Sequence, residues 1–223
     1  MPKILTRSLP WLVAASALLT MLSQDLSVLP RELGWIFKPL TTILVMVYAW
    51  PRGLDTPVLR RFVLIGLACS LLGDVALMFP GGFVPGLLAF LAAHLAYLWA
   101  FTRVQRFASW PWSFAAYGFL AVSFLAFLWP GIPAALQVPV VAYVLCLGSM
   151  SAQAAVIAFR ARGTPLQSRA TTLALGGMLF FASDGLIAFN KFDGPQPLAA
   201  LAILPAYWAA QWCIASWLAP EKP

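Results

Sequence analysis

The chain has 223 residues, of which 62% are hydrophobic and only 9% charged, with a mean hydropathy of +0.87. Soluble domains carry about 25% charged residues, so the composition excludes a soluble globular protein and leaves a polytopic membrane protein. The net charge of +7 does not indicate nucleic acid as a partner. The Lys and Arg are scattered in short connectors between apolar runs, as in the cytoplasmic loops of membrane proteins.

Apolar runs and helix breakers predict an all-α transmembrane bundle of about eight helices, a single domain over residues 1–223. The first helix, near 10–28, follows Lys3 and Arg7. No clean small-x-small site ends its apolar run from Trp11 to Leu22, so it is expected to be retained and not cleaved as a signal peptide. Pro30 separates it from the second, near 35–50, whose outer end carries Lys38 and Pro39. Pro51 and Arg60-Arg61 precede the third, near 59–79, with Asp74 inside it. Pro80-Gly81-Gly82 leads to the fourth, near 83–103, which holds the only histidine, His94, and Tyr97. Pro111 opens the fifth, near 111–129, and Pro130-Gly131 closes it. The sixth, near 136–160, ends before Gly163. The seventh, near 169–190, contains Asp184 and ends at Asn190 and Lys191. Gly194-Pro195 leads to the eighth, near 196–218, with Tyr207 and Gln211.

Sorting the basic residues by side puts Lys3, Arg7, Arg52, Arg60, Arg61, Arg103, Arg106, Arg160, Arg162, Arg169 and Lys222 on one face and Arg31, Lys38 and Lys191 on the other. This asymmetry predicts cytoplasmic termini, in what is expected to be a bacterial inner membrane. Trp residues cluster near span ends, as an aromatic belt does. On this ladder Asp74 lies about 20 Å up from Arg61 and Asp184 about 22 Å up from Arg169, at 1.5 Å per residue. The two carboxylates are therefore expected at nearly equal depth in the outer half of the membrane. A shift of 110 residues aligns them, along with Phe79 and Phe189, Pro85 and Pro195, Tyr97 and Tyr207, and Arg52-Gly53 and Arg162-Gly163. The alignment is that of a possible four-plus-four parallel repeat, which would set the two aspartates across a pseudo-two-fold axis.

A carboxylate at membrane depth is costly and marks a functional candidate. Two carboxyls that share a site can divide the work of acid and base between them. Lone His94 is too few ligands for zinc, and reads either as a packing histidine or as a proton relay. The three cysteines, Cys69, Cys146 and Cys213, read as small buried thiols. Lys38, Asn190 and Lys191 share the outer face, either as interfacial residues or as anchors for an anionic head group. Tyr97, Tyr207 and Gln211 read as pocket lining. Nucleophile-elbow, Walker and zinc-protease patterns are missing from the sequence, and neither a metal nor another cofactor is expected.

The polar pieces, taken in order, resemble the YhhN-like lysoplasmalogenase family of small multispanning membrane proteins. They are KPLTT at Lys38–Thr42, SLLGDVALM at Ser70–Met78, GLLAFLAAHLAYLWAF at Gly86–Phe101, SDGLIAFNKF at Ser183–Phe192, and Tyr207 with Gln211. The resemblance covers helices 2 to 8. It implies hydrolysis of the vinyl ether bond of lysoplasmalogens, a lysophospholipid substrate, to a fatty aldehyde and a glycerophospho-base. It also implies Asp74 and Asp184 as the catalytic pair, with Lys38, His94 and Asn190 in support. The residues read by themselves leave two other classes open: a proton-coupled transporter or lipid flippase using the same carboxylates, and a structural protein with a buried polar clamp.

Overall fold

A computed structural model describes residues 3–24, 26–194 and 197–220. Lys222 and Pro195 lie outside the described residues, as do the side chains of Lys3 and Arg7. The described residues form α1 (Lys3–Gln24), α2 (Arg31–Ala49), α3 (Pro57–Ala76), α4 (Phe83–Thr102), α5 (Pro111–Leu128), α6 (Ala134–Arg160), α7 (Gln167–Phe192) and α8 (Pro197–Trp217), with a 3-10 turn at Trp129–Gly131. No strand occurs among them, and the all-α expectation holds. Among the described residues five helices are long and apolar enough to cross a membrane: α2, α4, α5 with its 3-10 turn, α6 and α7. The described apolar part of α1, Ser8–Gln24, is shorter, and α3 carries Arg60, Arg61 and Asp74 along its 20 residues.

Two helix ends differ from expectation. α1 stops at Gln24 and not near residue 28. The Val28 and Leu29 amides both turn back to the Leu22 carbonyl, and Ser27 takes a positive φ of 52° before Pro30 starts α2. α3 stops at Ala76 and not near 79. The chain folds back so tightly that a Cβ on Gly82 would lie 1.7 Å from the Ala76 carbonyl oxygen, so only glycine fits that turn.

The chain falls into two compact units, residues 1–96 with 218–223 and residues 97–217. In the first, Ser16, Thr20 and Ser23 form a buried small-residue stripe on α1. Ser16 donates to the Phe37 carbonyl at 3.1 Å and accepts from Thr41 at 2.8 Å, tying α1 to α2. Such small polar contacts replace the hydrophobic effect where the surroundings are lipid. The chain end also returns to this unit: the Gly53 amide donates to the Ala219 carbonyl at 2.8 Å and Arg52 Nε to the Leu218 carbonyl at 3.2 Å.

In the second unit α6 is the inner helix, buried from Val140 to Ile157 on several faces. α7 packs on both α6 and α8 through adjacent glycines. A Cβ on Gly177 would lie 3.1 Å from Ser151 Cα on α6, and one on Gly176 would lie 2.8 Å from Cys213 Cβ and 3.1 Å from the Ala210 carbonyl oxygen on α8. The absence of side chains lets the backbones approach, as at small-residue crossings in membranes.

α3 and α7 bury the same pattern. Val63, Gly66, Leu67, Ser70, Gly73 and Asp74 are buried on α3, and the residues 110 positions on, Leu173, Gly176, Gly177, Phe180, Ser183 and Asp184, are buried on α7. The spacing is that of one helix face. The connectors before them match as well, with positive φ at Gly53 (70°) and Gly163 (74°).

Gly176→Leu is expected to lower stability by about 1–3 kcal/mol through overpacking, read as a lower thermal midpoint in detergent. Gly118→Ala, on α5 with open space around it, is expected to be neutral or slightly stabilising, because it removes the helix penalty of glycine.

Candidate active site

Asp74 sits on the inward face of α3 because the burial period places it there, four residues beyond Ser70 and beside Gly73. It is 2% exposed. Its neighbour Gly73 accommodates the Phe90 ring of α4, to which a Cβ would come within 2.6 Å. Thr42 of α2 donates its hydroxyl to Asp74 Oδ2 at 2.6 Å. A bond of this length lies at the short end of the ordinary O–H···O range. Lys38 lies one turn before Thr42 on the same face of α2 and is buried at 9% exposure. That burial sets it apart from a lysine that merely reaches up to the interface. Ser70 Oγ, one turn from Asp74, is buried and has no hydrogen-bond partner among the described residues.

Asp184 occupies the matching place on α7, at 8% exposure. Tyr143 of α6 donates its phenol to Asp184 Oδ2 at 2.5 Å. The adjacent Ser183 donates to the Ile203 carbonyl of α8 at 2.9 Å, which fixes the rotation of α7 at the carboxylate. Tyr207 of α8 lies within electrostatic range of Tyr143.

The residues expected to line a pocket form a network in the second unit. Tyr97 donates to Gln211 Oε1 at 2.6 Å, and Gln211 Nε2 donates to Tyr207 Oη at 3.3 Å. Phe180 packs against both phenols, at 6.4 Å from the Tyr97 ring and 5.5 Å from the Tyr207 ring, and Trp208 flanks Tyr207. All three polar residues are buried. His94 is fully buried in α4. Asn190 is half-buried, and Lys191 is exposed about two turns beyond Asp184.

Thr42 and Tyr143 were not assigned roles from the sequence. Thr42 lies inside the KPLTT stretch. Tyr143 had one usable signal, a phenol within an otherwise apolar part of α6, since a buried tyrosine hydroxyl normally finds a partner.

These observations define a class: a polytopic α-helical membrane protein with buried, hydroxyl-bound carboxylates on two equivalently buried helices. The family model described as the YhhN family matches residues 33–218, and the chain belongs to that family. It is 32% identical over 187 residues to Lysoplasmalogenase TMEM86B of Homo sapiens, covering 81% of this chain and 74% of the relative. It is 31% identical over 159 residues to Lysoplasmalogenase TMEM86A of Bos taurus, covering 69% and 63%. It is 34% identical over 104 residues to the uncharacterized membrane protein YhhN of Escherichia coli O6:H1, covering 45% and 50%. No solved structure matches the chain.

Tyr143→Phe is expected to cost about 1–3 kcal/mol, the penalty for leaving a buried acceptor without its donor. In a double-mutant cycle with Asp184→Asn the two effects are expected to be non-additive, as measured by denaturant or thermal unfolding in detergent.

Proposed function

We propose that the protein is a membrane-embedded hydrolase that cleaves the vinyl ether bond of lysoplasmalogens to a fatty aldehyde and a glycerophospho-base, with Asp74 and Asp184 as acid and base. The observation that carries this reading is the pair of buried carboxylates at matched positions of α3 and α7, each oriented by a hydroxyl from a neighbouring helix. The names of the relatives support the substrate class.

The chemistry asks for two groups. One aspartate, as the neutral acid, gives its proton to the alkenyl carbon distal to the ether oxygen. The double-bond electrons form the new C–H bond, and the ether oxygen shares a lone pair to make an oxocarbenium ion. The other aspartate, as carboxylate, stabilises that cation and accepts a proton from the water that attacks it. The hemiacetal then collapses: the bond from the former vinyl carbon to the glycerol oxygen breaks, and that oxygen leaves with a proton. One water is consumed in all. Ser70 Oγ, buried beside Asp74, supplies a polar atom for the attacking water or a substrate hydroxyl. Lys38 is the better of the two outer lysines for the phosphate, because it is buried within a turn of the Asp74–Thr42 pair whereas Lys191 is exposed.

The matched burial of α3 and α7 favours one second reading, a proton-coupled transporter or lipid flippase in which the aspartates carry protons. The proposed setting is a bacterial inner membrane with both termini on the cytoplasmic side, supported by the bias of Lys and Arg.

Purified protein in detergent is expected to release aldehyde from alkenyl lysophospholipids and nothing from acyl ones. Asp74→Asn and Asp184→Asn are each expected to lower the rate about 10²–10⁴-fold, the usual weight of a general acid or base. Movement of lipid into sealed vesicles without cleavage would instead establish transport. For orientation, a fluorescent protein fused to the C-terminus is expected to glow, and a periplasmic phosphatase fused there to be inactive.

A further inference from the structure

Four exposed arginines border the connector between α4 and α5, residues 103–110. Arg103 and Arg106 lie in it. Arg160 of α6 donates to the Ser109 carbonyl, and Arg162, just past α6, sits over the Phe159 ring, 4.8 Å from its centre. Trp110 stacks on that same ring, with centroids 4.2 Å apart and planes at 3°. The second unit holds only two acidic residues, Asp184 and Asp193, and both lie about 25 Å or more along α7 from its start. No carboxylate of this unit is therefore in reach of the four guanidiniums.

The connector is held in place. Gln153, fully buried on α6, donates to the Gln105 carbonyl at 2.8 Å and accepts from the Ala108 amide at 3.2 Å. Ala108 takes a positive φ of 53°, a costly conformation for a residue with a Cβ. Strain of this kind persists where the surroundings over-determine the backbone, and it gathers at ligand clamps. Here it fixes the stretch that carries Arg103 and Arg106.

The arginines also divide by what their N–H groups do. Arg52, Arg60 and Arg160 donate to the Leu218, Trp50 and Ser109 carbonyls. Arg103, Arg106 and Arg162 donate to none of the described residues. Arg103 sits over the Trp99 ring, 3.9 Å from its centre, as Arg162 sits over Phe159. A guanidinium seated on a ring face keeps its N–H edge open, and that edge matches two oxygens of a phosphate. A topological bias asks only for positive charge, which lysine supplies as well, yet the chain has no lysine between Lys38 and Lys191. Trp99 and Phe107, 47% and 51% exposed, add apolar surface beside the arginines.

We propose that this end of the second unit binds an anionic phospholipid of the adjoining leaflet, with its phosphate at Arg103 and Arg106, Arg162 adding charge, and its acyl chains over Trp99 and Phe107. A zwitterionic lipid brings the same phosphate together with an ammonium, which an arginine cluster without carboxylates repels. A head group that carries no cation is therefore preferred. The site is separate from the aspartates, and its occupancy is read without turnover.

The test is binding of phosphatidylglycerol and phosphatidylcholine with identical acyl chains to the purified full-length protein in nonionic detergent. Binding is read by native mass spectrometry and as a rise in thermal midpoint. Phosphatidylglycerol is expected to bind about tenfold more tightly, a preference that shrinks at high salt. Arg103→Gln and Arg106→Gln are each expected to weaken it about fivefold, the weight of one basic residue at an anionic surface, and to leave phosphatidylcholine within about twofold of wild type. Arg103→Lys keeps the charge but loses the paired edge, so it should weaken binding by less than Arg103→Gln does. Arg60→Gln removes an arginine already committed to a carbonyl and is expected to leave the lipid affinity unchanged. Thermal unfolding without added lipid checks that each variant folds. Equal weakening by Arg60→Gln, or no preference for phosphatidylglycerol, would reduce the cluster to diffuse topological charge and overturn the proposal. The same rise in midpoint with inorganic phosphate alone would assign the site to a soluble anion and overturn it as well.

Discussion

A carboxylate inside an apolar helix bundle must find donors from protein, because lipid offers none. That requirement organises both units. In each, the neighbouring helix brings one hydroxyl to the aspartate, Thr42 to Asp74 and Tyr143 to Asp184. Each hydroxyl does more than neutralise an unfavourable burial. It sets which oxygen of the carboxylate is engaged and so which way the group faces. The two solutions differ in reach. Thr42 is a short side chain and demands that α2 and α3 run close together. Tyr143 reaches Asp184 from α6 with a long, stiff ring.

The glycines belong to the same argument. A hydroxyl aimed from one helix is useful only if the distance to the next helix is held. Gly73 admits the Phe90 ring beside Asp74, while Gly176 and Gly177 bring α7 against α8 and α6 two turns from Asp184. Ser151 closes the second of these approaches by donating to the Gly177 carbonyl at 2.9 Å. Close backbone contact and polar anchoring thus act at one level of the helix, and the carboxylate sits at the next.

Much of this was legible in the amino-acid sequence, for identifiable reasons. A charge in a run of apolar residues is rare, so Asp74 and Asp184 stood out, and the 110-residue alignment anticipated the shared burial of α3 and α7. The ordered polar pieces from Lys38 to Gln211 fall within the region that matches the YhhN family. The partners were not legible. Hydroxyl residues are ordinary in membrane helices, and nothing in a linear spacing tells that Tyr143 meets a residue 41 positions away or Tyr97 one 114 positions away. Helix ends were misplaced where backbone closure decided them: the fold-back of Gly82 onto Ala76 shortens α3, and the return of the Val28 and Leu29 amides to Leu22 shortens α1. Lys38 resembled an interfacial lysine, and only its burial separates it from Lys191.

The return of the chain end bears on biosynthesis. The Leu218 and Ala219 carbonyls complete the connector between α2 and α3, at Arg52 and Gly53. Proteins are made from the N-terminus, and early segments generally fold before later ones. Here the helices bearing Thr42 and Asp74 are synthesised well before α8, yet their connector gains two of its hydrogen bonds only once the residues that follow α8 have been made. A unit begun early in synthesis is therefore closed late.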